Sequence, residues 1–377
     1  MDNAPTATIS EHFSDLDDPR GANRWHLLLD IIVIAICAAI CGADSWVDVE
    51  LFGESKYKWF RKFLKLPHGI PAHDTFGRVF AHLDAEQFQA CFMEWVSAIN
   101  QVFQGQIIAV DGKTIRRSHD KAIGKQAIQM VSAWASQNRL VLGQLKVDDK
   151  SNEITAIPEL LRLLEISGCI VTIDAIGCQK KIARTILDQQ ADYVLAVKEN
   201  QGYLYEAFQD LFQYPDEMTT IGCDYHKTVD KGHGRIEVRE CWTTSDPDYL
   251  RYINERLSEW PGLRSLAMVK SERRVIDGET TTACRYFISS LDSDAKLTLH
   301  AVRTHWEIEN KVHWVLDIAF REDDCRVRKG NGAENLAVLR YIALNLLKRE
   351  TSLKCGIKAK RKKAGWDHDY LLKVLAG

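Results

Sequence analysis

The sequence IIAVDGKTIRRS, residues Ile107–Ser118, changes from apolar to basic around Asp111, and the predicted fold depends on this change. The apolar run before Asp111 predicts a buried strand that ends with a carboxylate at the edge of a sheet. Such a carboxylate can hold a metal ion, and the cations of Lys113, Arg116 and Arg117 can bind phosphate beside it. A strand-ending aspartate that caps a turn has the same pattern, so this stretch alone leaves a catalytic and a structural interpretation open.

The composition predicts a globular protein of two or three packed units. The 377 residues are 46% hydrophobic and 27% charged, and the net charge of −3 means that nucleic acid would have to bind to local basic patches. Ten cysteines without a CxxC pair predict reduced thiols. The apolar run 31–41 is shorter than the roughly 20 residues that cross a bilayer, and an acidic segment precedes it. We therefore expect a cytoplasmic protein that does not enter a membrane.

Residues 1–104 predict an all-helical N-terminal domain. The densely apolar segment 25–41 ends at Gly42, a typical helix stop, and helical patterns continue to about residue 102. Basic residues recur within this domain at Lys56, Lys58, Arg61, Lys62 and Lys65. They form either a solvated helix face or a surface that binds the DNA backbone.

Residues 105–350 predict an α/β domain. The strand that ends at Asp111 is followed by a series of alternating elements: strands at 127–135 and 139–147, a helix at 152–167, a strand that runs into Asp174, a helix at 180–190 and a strand at 193–197. The order βββαβαβ is the layout of an RNase-H-like catalytic core. Because the first and fourth strands of such a core are neighbours, we expect Asp111 and Asp174 to meet in space.

Two regions flank the end of this core. Residues 201–290 predict a β-rich insertion before the last helices, and residues 351–377 form a basic C-terminal tail. The tail is either a solvated end or a clamp on a nucleic-acid backbone.

A late helix supplies a third acid. Trp306, Glu309, His313 and Leu316 have the spacing of a single helix face. A carboxylate among aromatic residues is costly to bury without a partner, and a metal ion shared with the two strand-end aspartates would be such a partner. Two further acids, Asp323 and Asp324, offer an alternative to Glu309 or simply form a polar helix end.

The chain resembles the DDE transposases and, within them, the ISAs1 group, also called H-repeat-associated proteins. Nearly the whole chain carries the resemblance, through these motifs: LLDIIVIAICAAICGADSW (28–46), LPHGIPAHDTFGRVF (66–80), IAVDGKTIRRS (108–118), VTIDAIGCQ (171–179), VKENQ (197–201), HGRIEVRE (233–240), HWEIENKVHWVLDIAFREDDCR (305–326) and LRYIALNLLKR (339–349). Together these motifs are specific to the group.

The resemblance implies a transposase that cleaves and transfers DNA strands at the ends of its insertion-sequence element. Asp111, Asp174 and Glu309 would bind two divalent ions, Mg²⁺ or Mn²⁺. We further expect a set of residues to position phosphates: Lys113, Arg116, Arg117, Lys198 and Asn200. Related enzymes carry a Tyr, an Arg and a Lys around the glutamate, where this chain has Val302, His305 and Leu316. Arg303, His305 or Lys311 would then make the phosphate contact that the Tyr, Arg and Lys make in the related enzymes.

The expected partner is double-stranded DNA, both the terminal inverted repeats of the element and the target, bound by a homodimer on paired ends. The protein would lie in the cytoplasm, on the nucleoid when it is bound to DNA. Two other functions fit the sequence: a catalytically inactive remnant that still binds DNA, and an RNase-H-like nuclease that cuts without joining.

Overall fold

The computed structural model describes residues 7–21, 24–119, 124, 126–147, 152–213, 222–232, 234–257, 259–276 and 278–376. In chain order the helices are α1 Ala7–Phe13, α2 Leu28–Cys41, α3 Trp46–Ser55, α4 Tyr57–Phe60, α5 His73–His82, α6 Ala85–Ile99, α7 Glu153–Arg162, α8 Lys180–Asp188, α9 Gly202–Leu211, α10 Pro247–Leu257, α11 Ala295–His305, α12 Trp314–Ala319, α13 Gly332–Arg349, α14 Ile357–Trp366 and α15 His368–Ala376. The strands are β1 Ile107–Ile115, β2 Ile128–Ala135, β3 Leu140–Lys146, β4 Ile170–Ile173, β5 Asp192–Val197, β6 Asp224–Gly232, β7 Arg235–Thr244, β8 Ser265–Val275 and β9 Thr280–Ser289.

The chain divides into two compact units. The first contains residues 1–101, 112–149 and 309–377, and the second contains residues 102–111 and 150–308. This differs from the three consecutive regions, 1–104, 105–350 and 351–377, that the sequence predicts. The difference arises because packing between distant helices, which local periodicity does not record, joins the ends of the chain into one unit.

In the first unit, α13 is the central helix and packs against α2, α5, α6 and β3. The Asn345 side chain makes the two backbone hydrogen bonds that a neighbouring strand would otherwise make with Val141. Its Oδ1 accepts the Val141 N–H and its Nδ2 donates to the Val141 carbonyl, each at 2.9 Å. Asn335 donates to the carbonyls of Phe80 and Leu83 at 2.8 and 2.9 Å. These buried amides fix the helix against its neighbours, since an unpaired buried amide would destabilise the fold.

Helix α2 forms the apolar centre beside α13. Every residue from Asp30 to Ile40 is buried, and the Asp30 carboxylate accepts the backbone N–H of Leu66 at 2.9 Å. Gly42 ends the helix with φ of 106°, as the sequence predicts, because a left-handed residue here suits glycine. Within the described residues no single helix is long and apolar enough to cross a membrane; α2 and α3 pass such a test only as a pair bent by 97°.

The β-sheet topology follows the predicted order βββαβαβ. In the first unit the strand order is β3-β2-β1, with β2 and β3 antiparallel, and in the second it is β1-β4-β5-β9-β8-β7-β6. Strands β1, β4 and β5 are parallel, and the strands of the predicted insertion extend the same sheet through antiparallel β9. Helix α11 packs on this second-unit sheet over a core that includes Val194, Phe287 and Leu299.

The region predicted to be β-rich contains β6 to β9 together with α9 and α10, and the basic tail folds into α14 and α15. One local prediction differs from the structure. The late helix is not continuous, because α11 ends at His305 and a π-helical turn follows at Glu309–His313. The shifted spacing buries His313 and Leu316 and leaves Glu309 exposed, so these residues do not share one face.

Candidate active site

Asp111 and Asp174 both belong to the second unit and follow paired residues of neighbouring strands. Strands β1 and β4 are parallel neighbours, with Val110 paired to Ile173 as the last pair, so Asp111 and Asp174 come next in register. The predicted strand end at Asp111 is wrong, because β1 continues to Ile115 beyond its pairing with β4. The residues before them are almost fully buried, whereas both aspartates are half-buried. The sequence prediction that the first and fourth strands are neighbours is therefore confirmed. The two acids therefore lie where the pairing of β1 with β4 stops, at the carboxyl end of β4.

A short 3₁₀ turn orients the Asp174 carboxylate. Its Oδ1 accepts the backbone N–H of Ile176 at 3.1 Å, at the start of the turn Ala175–Gly177. The Asn200 side-chain amide, in the turn Glu199–Gln201 after β5, donates to the carbonyl of Ala175 at 2.8 Å and holds the same turn. Asp174 thus caps this turn, and that role is compatible with metal binding because a carboxylate has further lone pairs. Asn200, predicted to contact phosphate, uses its amide N–H to support the aspartate.

His305 lies beside Asp174 at the end of α11. Its Nδ1 is 3.1 Å from the hydroxyl oxygen of Thr172, which is buried on β4 and lies on the same face as Asp174. Burial lowers the pKa of His305, while the nearby Asp174 carboxylate raises it by less. The imidazole is therefore neutral at pH 7, and its ring is held by a buried hydroxyl.

An open cleft of about 600 Å³ begins at Asp174. Its lining combines the turn after β4, the end of β5 with Lys198, and β9 with Arg285 and Tyr286. The Arg285 guanidinium lies 5.1 Å from the centre of the Trp306 ring. Arg303, on α11, pairs with Asp230 on β6 at 3.0 Å and remains partly exposed. The cleft therefore joins a carboxylate to cations, as a phosphate-binding site requires.

The basic residues after Asp111 belong to the first unit and are paired with acids there. Lys113 is only 10% exposed, and its ammonium contacts Asp317 and lies 2.6 Å from Glu322. Burial lowers the pKa of Lys113, but the two carboxylates outweigh it and raise the pKa overall. This buried pairing differs from the expected phosphate contact of Lys113.

The neighbouring arginines differ from Lys113 in exposure. Arg116 pairs with Asp323 at 3.2 Å and Arg117 with Asp324 at 3.5 Å, with 80% and 47% of their side chains exposed. These pairs also account for the two acids considered as alternatives to Glu309. Both arginines keep enough exposed surface to contact phosphate.

Sequence reasoning missed Glu322. Its side chain is 2% exposed and lies between Lys113 and Arg340, the latter at 3.5 Å. Burial raises its pKa, but these two cations outweigh burial and hold the pKa below its usual value. The only available signal was the acidic run 322–324, which does not indicate which of its members is buried.

The third predicted carboxylate, Glu309, begins the π-helical turn of the first unit and is exposed. Val302 and Leu316 are buried, while Lys311 is exposed. Within the described ranges, no group of three or more His, Cys, Asp or Glu side chains lies close enough to hold a metal ion. The structure thus brings together Asp111 and Asp174, and Glu309 stays a prediction.

Comparison with known proteins identifies the family. The family model described as Transposase DDE domain matches residues 103–346, and the model DDE_Tnp_1-associated matches residues 10–96. The chain belongs to the DDE transposases. The H repeat-associated putative transposase YhhI of Escherichia coli strain K12 is 42% identical over 98% of both chains. Putative transposase YncI of Escherichia coli O157:H7 is 44% identical over 98% of this chain and 94% of its own.

Among solved structures, the transposase is similar to the cryo-EM structure of a piggyBac transposase synaptic complex with hairpin DNA. The TM-score is 0.42 at 13% identity, over 95% of this chain and 75% of that one. Membership of the DDE transposases implies dependence on a divalent metal. Asp111 and Asp174, which follow paired residues of neighbouring strands, fit such an ion by their chemistry, because Mg²⁺ is commonly bound by one or two carboxylates together with water and substrate phosphate.

Proposed function

We propose that this transposase cuts DNA strands at the ends of its element and joins them to target DNA, with Asp111, Asp174 and Glu309 as catalytic carboxylates. The register of β1 and β4, in which Asp111 and Asp174 follow the last paired residues of the two strands, is the observation that supports the proposal. Support for Glu309 comes from the motif 305–326, in which it occupies the position of the third acid by resemblance. The RNase-H-like description of the core rests on the same order of strands.

We infer that the carboxylates hold Mg²⁺ or Mn²⁺, two ions in the complete site. A divalent ion bound there supplies a water of lowered pKa and neutralises the charge that develops on the departing 3′ oxygen. The chain's own contribution is orientation. The Ile176 N–H and the Asn200 amide fix the Asp174 turn, and Thr172 fixes the neutral His305 ring beside it.

DNA phosphates are expected at the cations around the cleft. Lys198, Arg285 and Arg303 belong to the second unit and are exposed or partly exposed. The polar edge of His305 adds to this set within the second unit. Arg116 and Arg117 are proposed as phosphate contacts of the first unit. Phosphate contacts of this kind fix the register of the duplex and carry little sequence information.

The partner that we propose is double-stranded DNA: the terminal inverted repeats and the target, held by a homodimer on paired ends. The resemblance also supports membership of the ISAs1 group and a cytoplasmic location, on the nucleoid when DNA is bound. Light scattering of the protein with two end duplexes tests the assembly, for which we expect two chains per complex.

Strand chemistry is tested with labelled DNA that carries the element's own ends, in Mg²⁺ or Mn²⁺. We expect wild type to cut and join, and Asp111→Asn, Asp174→Asn and Glu309→Gln to bind DNA but lose at least about 1,000-fold in rate, since each removes a charged ligand. The matched control is Asp188→Asn, which changes an exposed carboxylate at the end of α8. Glu307→Gln is the control for Glu309.

Each alternative function has its own outcome in this assay. Cutting without joined products would favour the nuclease, and binding of ends without cutting in either metal would favour the inactive remnant. An active Glu309→Gln variant would remove that residue from the proposed set and leave the aspartate pair.

A further inference from the structure

Two segments of the first unit are basic and contain no acid. Residues 56–66 and residues 354–366 include eleven Lys or Arg side chains and no Asp or Glu, in a chain whose net charge is −3. The first segment covers α4 and its flanks, and the second covers α14. Nearly 300 residues separate them in sequence, so their charges need not lie on the same surface.

The structure brings these two segments into contact. The Lys56 ammonium donates to the carbonyl of Gly365 at 3.0 Å and lies 2.9 Å from the Nε2 atom of His368. The Trp59 ring stacks on the His368 ring at 5.6 Å. Burial lowers the pKa of His368, and the nearby ammonium groups of Lys56 and Lys62 lower it further. Lys56 and Lys62, the cations on either side of α4, therefore lie next to the corner between α14 and α15.

Two basic residues of α14 are buried and anchor the helix. The Lys360 ammonium donates to the carbonyl of Leu347 at 2.9 Å, and the Arg361 guanidinium donates twice to the carbonyl of Ala39, at 3.0 and 2.9 Å. This fixes which side of α14 faces out. Lys358 and Lys362 lie one turn apart on the exposed side, and Trp366, 79% exposed, continues the same row.

The outward cations are mostly unpaired with acids. Within the described residues, the ion pairs of these two segments involve Lys360, Arg361 and Lys363, the last bound to Asp367 at 2.6 Å. Lys58, Lys62, Lys358 and Lys362 are exposed and appear in none of these pairs. Clustered cations repel one another unless a polyanion supplies the counter-charge.

We propose that the surface formed by Lys58, Lys62, Lys358, Lys362 and Trp366, here called the lysine surface, binds the sugar-phosphate backbone of duplex DNA. This rests on the proposed function, which makes DNA the partner. The ammonium groups contact phosphates independently of sequence, and the exposed indole packs against deoxyribose. The lysine surface contains none of the proposed catalytic residues, so its binding can be separated from strand cleavage.

The test measures binding of the full chain to a short random-sequence duplex by fluorescence anisotropy, without metal, over a series of salt concentrations. The variant carries Lys58→Gln, Lys62→Gln, Lys358→Gln and Lys362→Gln. Because each phosphate contact contributes about 0.9 to the slope of log K against log salt, we expect the slope to fall by about 3 to 4. The affinity should fall by about tenfold or more at moderate salt.

A matched variant separates the surface from net charge. Lys181→Gln, Lys296→Gln, Lys329→Gln and Lys373→Gln remove the same charge at scattered exposed positions. An equal loss in both variants, or no binding of random duplex by wild type, would overturn the proposal. So would wild-type binding to phosphatidylserine vesicles but not to DNA. A single Lys362→Glu change provides a milder variant whose fold is easily verified by its thermal unfolding.

The proposed function can fail without this inference failing. If the four-lysine variant loses binding to random duplex while the matched variant keeps it, and wild type does not cut DNA, the lysine surface stands and the strand chemistry does not. If the four-lysine variant binds as wild type does while wild type cuts, the reverse holds.

Discussion

At the scale of single residues, the contrast between Lys113 and Arg116 shows how position decides the role of a cation. Both follow Asp111 closely in the sequence, and both pair with acids of the segment 317–323. Lys113 is buried with Glu322, whereas most of the Arg116 side chain is exposed. A buried ion pair is costly to break because the remaining charge has no water around it, and an exposed pair is not.

Replacement of Lys113 by Met should therefore destabilise the protein. Met keeps much of the aliphatic volume and removes the ammonium, which leaves Glu322 with Arg340 as its remaining cation. We expect the free energy of unfolding to fall by about 3 kcal/mol in urea titrations. Arg116→Met is the control and should change it by less than about 1 kcal/mol. Equal effects of the two changes would contradict the difference in burial.

The aspartate pair was predictable from sequence, and the environment of Lys113 was not. An apolar run that ends in Asp occurs at both Asp111 and Asp174, and the order of the elements indicates that their strands are neighbours. A basic residue after such a strand has the same local pattern whether its partner is a phosphate or a carboxylate. The partners of Lys113 lie some 200 residues later in the chain, where no local pattern points to them.

At the scale of elements, the carboxylate of Glu350 fixes α14 and α15 against the end of α13. Glu350, 5% exposed, ends α13 and accepts hydrogen bonds from the Ser352 N–H and the Tyr370 hydroxyl, each at 2.7 Å, with the Lys360 ammonium at 3.5 Å. Burial acts to raise its pKa, but these donors lower the pKa to about 2. Glu350 thus connects α13 to both α14 and α15.

Glu350→Gln should lower stability at neutral pH by about 1 to 3 kcal/mol, the size of a hydrogen bond to a charged group. Because the pKa falls from 4.5 to about 2 on folding, the ionised carboxylate stabilises the protein above about pH 4.5, and this contribution is lost as the pH falls toward 2. The difference between wild type and variant should shrink over that range in denaturant titrations. Glu94→Gln, at an exposed site on α6, is the control. A constant difference from pH 7 to pH 3 would contradict the assignment.

Helices and strands with strong periodicity matched their predictions, and irregular ones did not. The buried run of α2, the glycine that ends it and the strands around Asp111 and Asp174 all have clear local patterns. The π-helical turn at Glu309–His313 inserts an extra residue into a helical pattern that continues on both sides. Regular helical spacing therefore put Glu309 on one face with His313 and Leu316, whereas the structure exposes Glu309 and buries the other two.

At the scale of the whole molecule, neither unit is a continuous piece of sequence. The first unit takes three segments of the chain and the second takes two. Helix α2 depends on packing against α13 and α14, which are encoded about 300 residues later. The predicted boundary near residue 104 coincides with a change from helices to strands. The local sequence pattern, however, does not indicate which distant helices complete the core of each unit.

A fragment of residues 1–101 should therefore fail to fold on its own. Without α13 it exposes the apolar face of α2, and such a surface favours aggregation over a cooperative fold. We expect the fragment to show no cooperative thermal transition by circular dichroism, whereas the full chain shows one. A sharp transition in the fragment would indicate an independent domain.

The position of α13 late in the chain also determines which mutations destroy the fold of the first unit. Any nonsense or frameshift mutation upstream of Gly332 deletes the helix on which α2, α5 and α6 pack, so the shortened product loses the core of its first unit. Truncation would then remove the fold that the proposed DNA binding and the proposed strand chemistry both need. A remnant of the proposed kind, which binds DNA without cutting it, requires a change that keeps the reading frame to the end of α13, such as missense loss of one carboxylate.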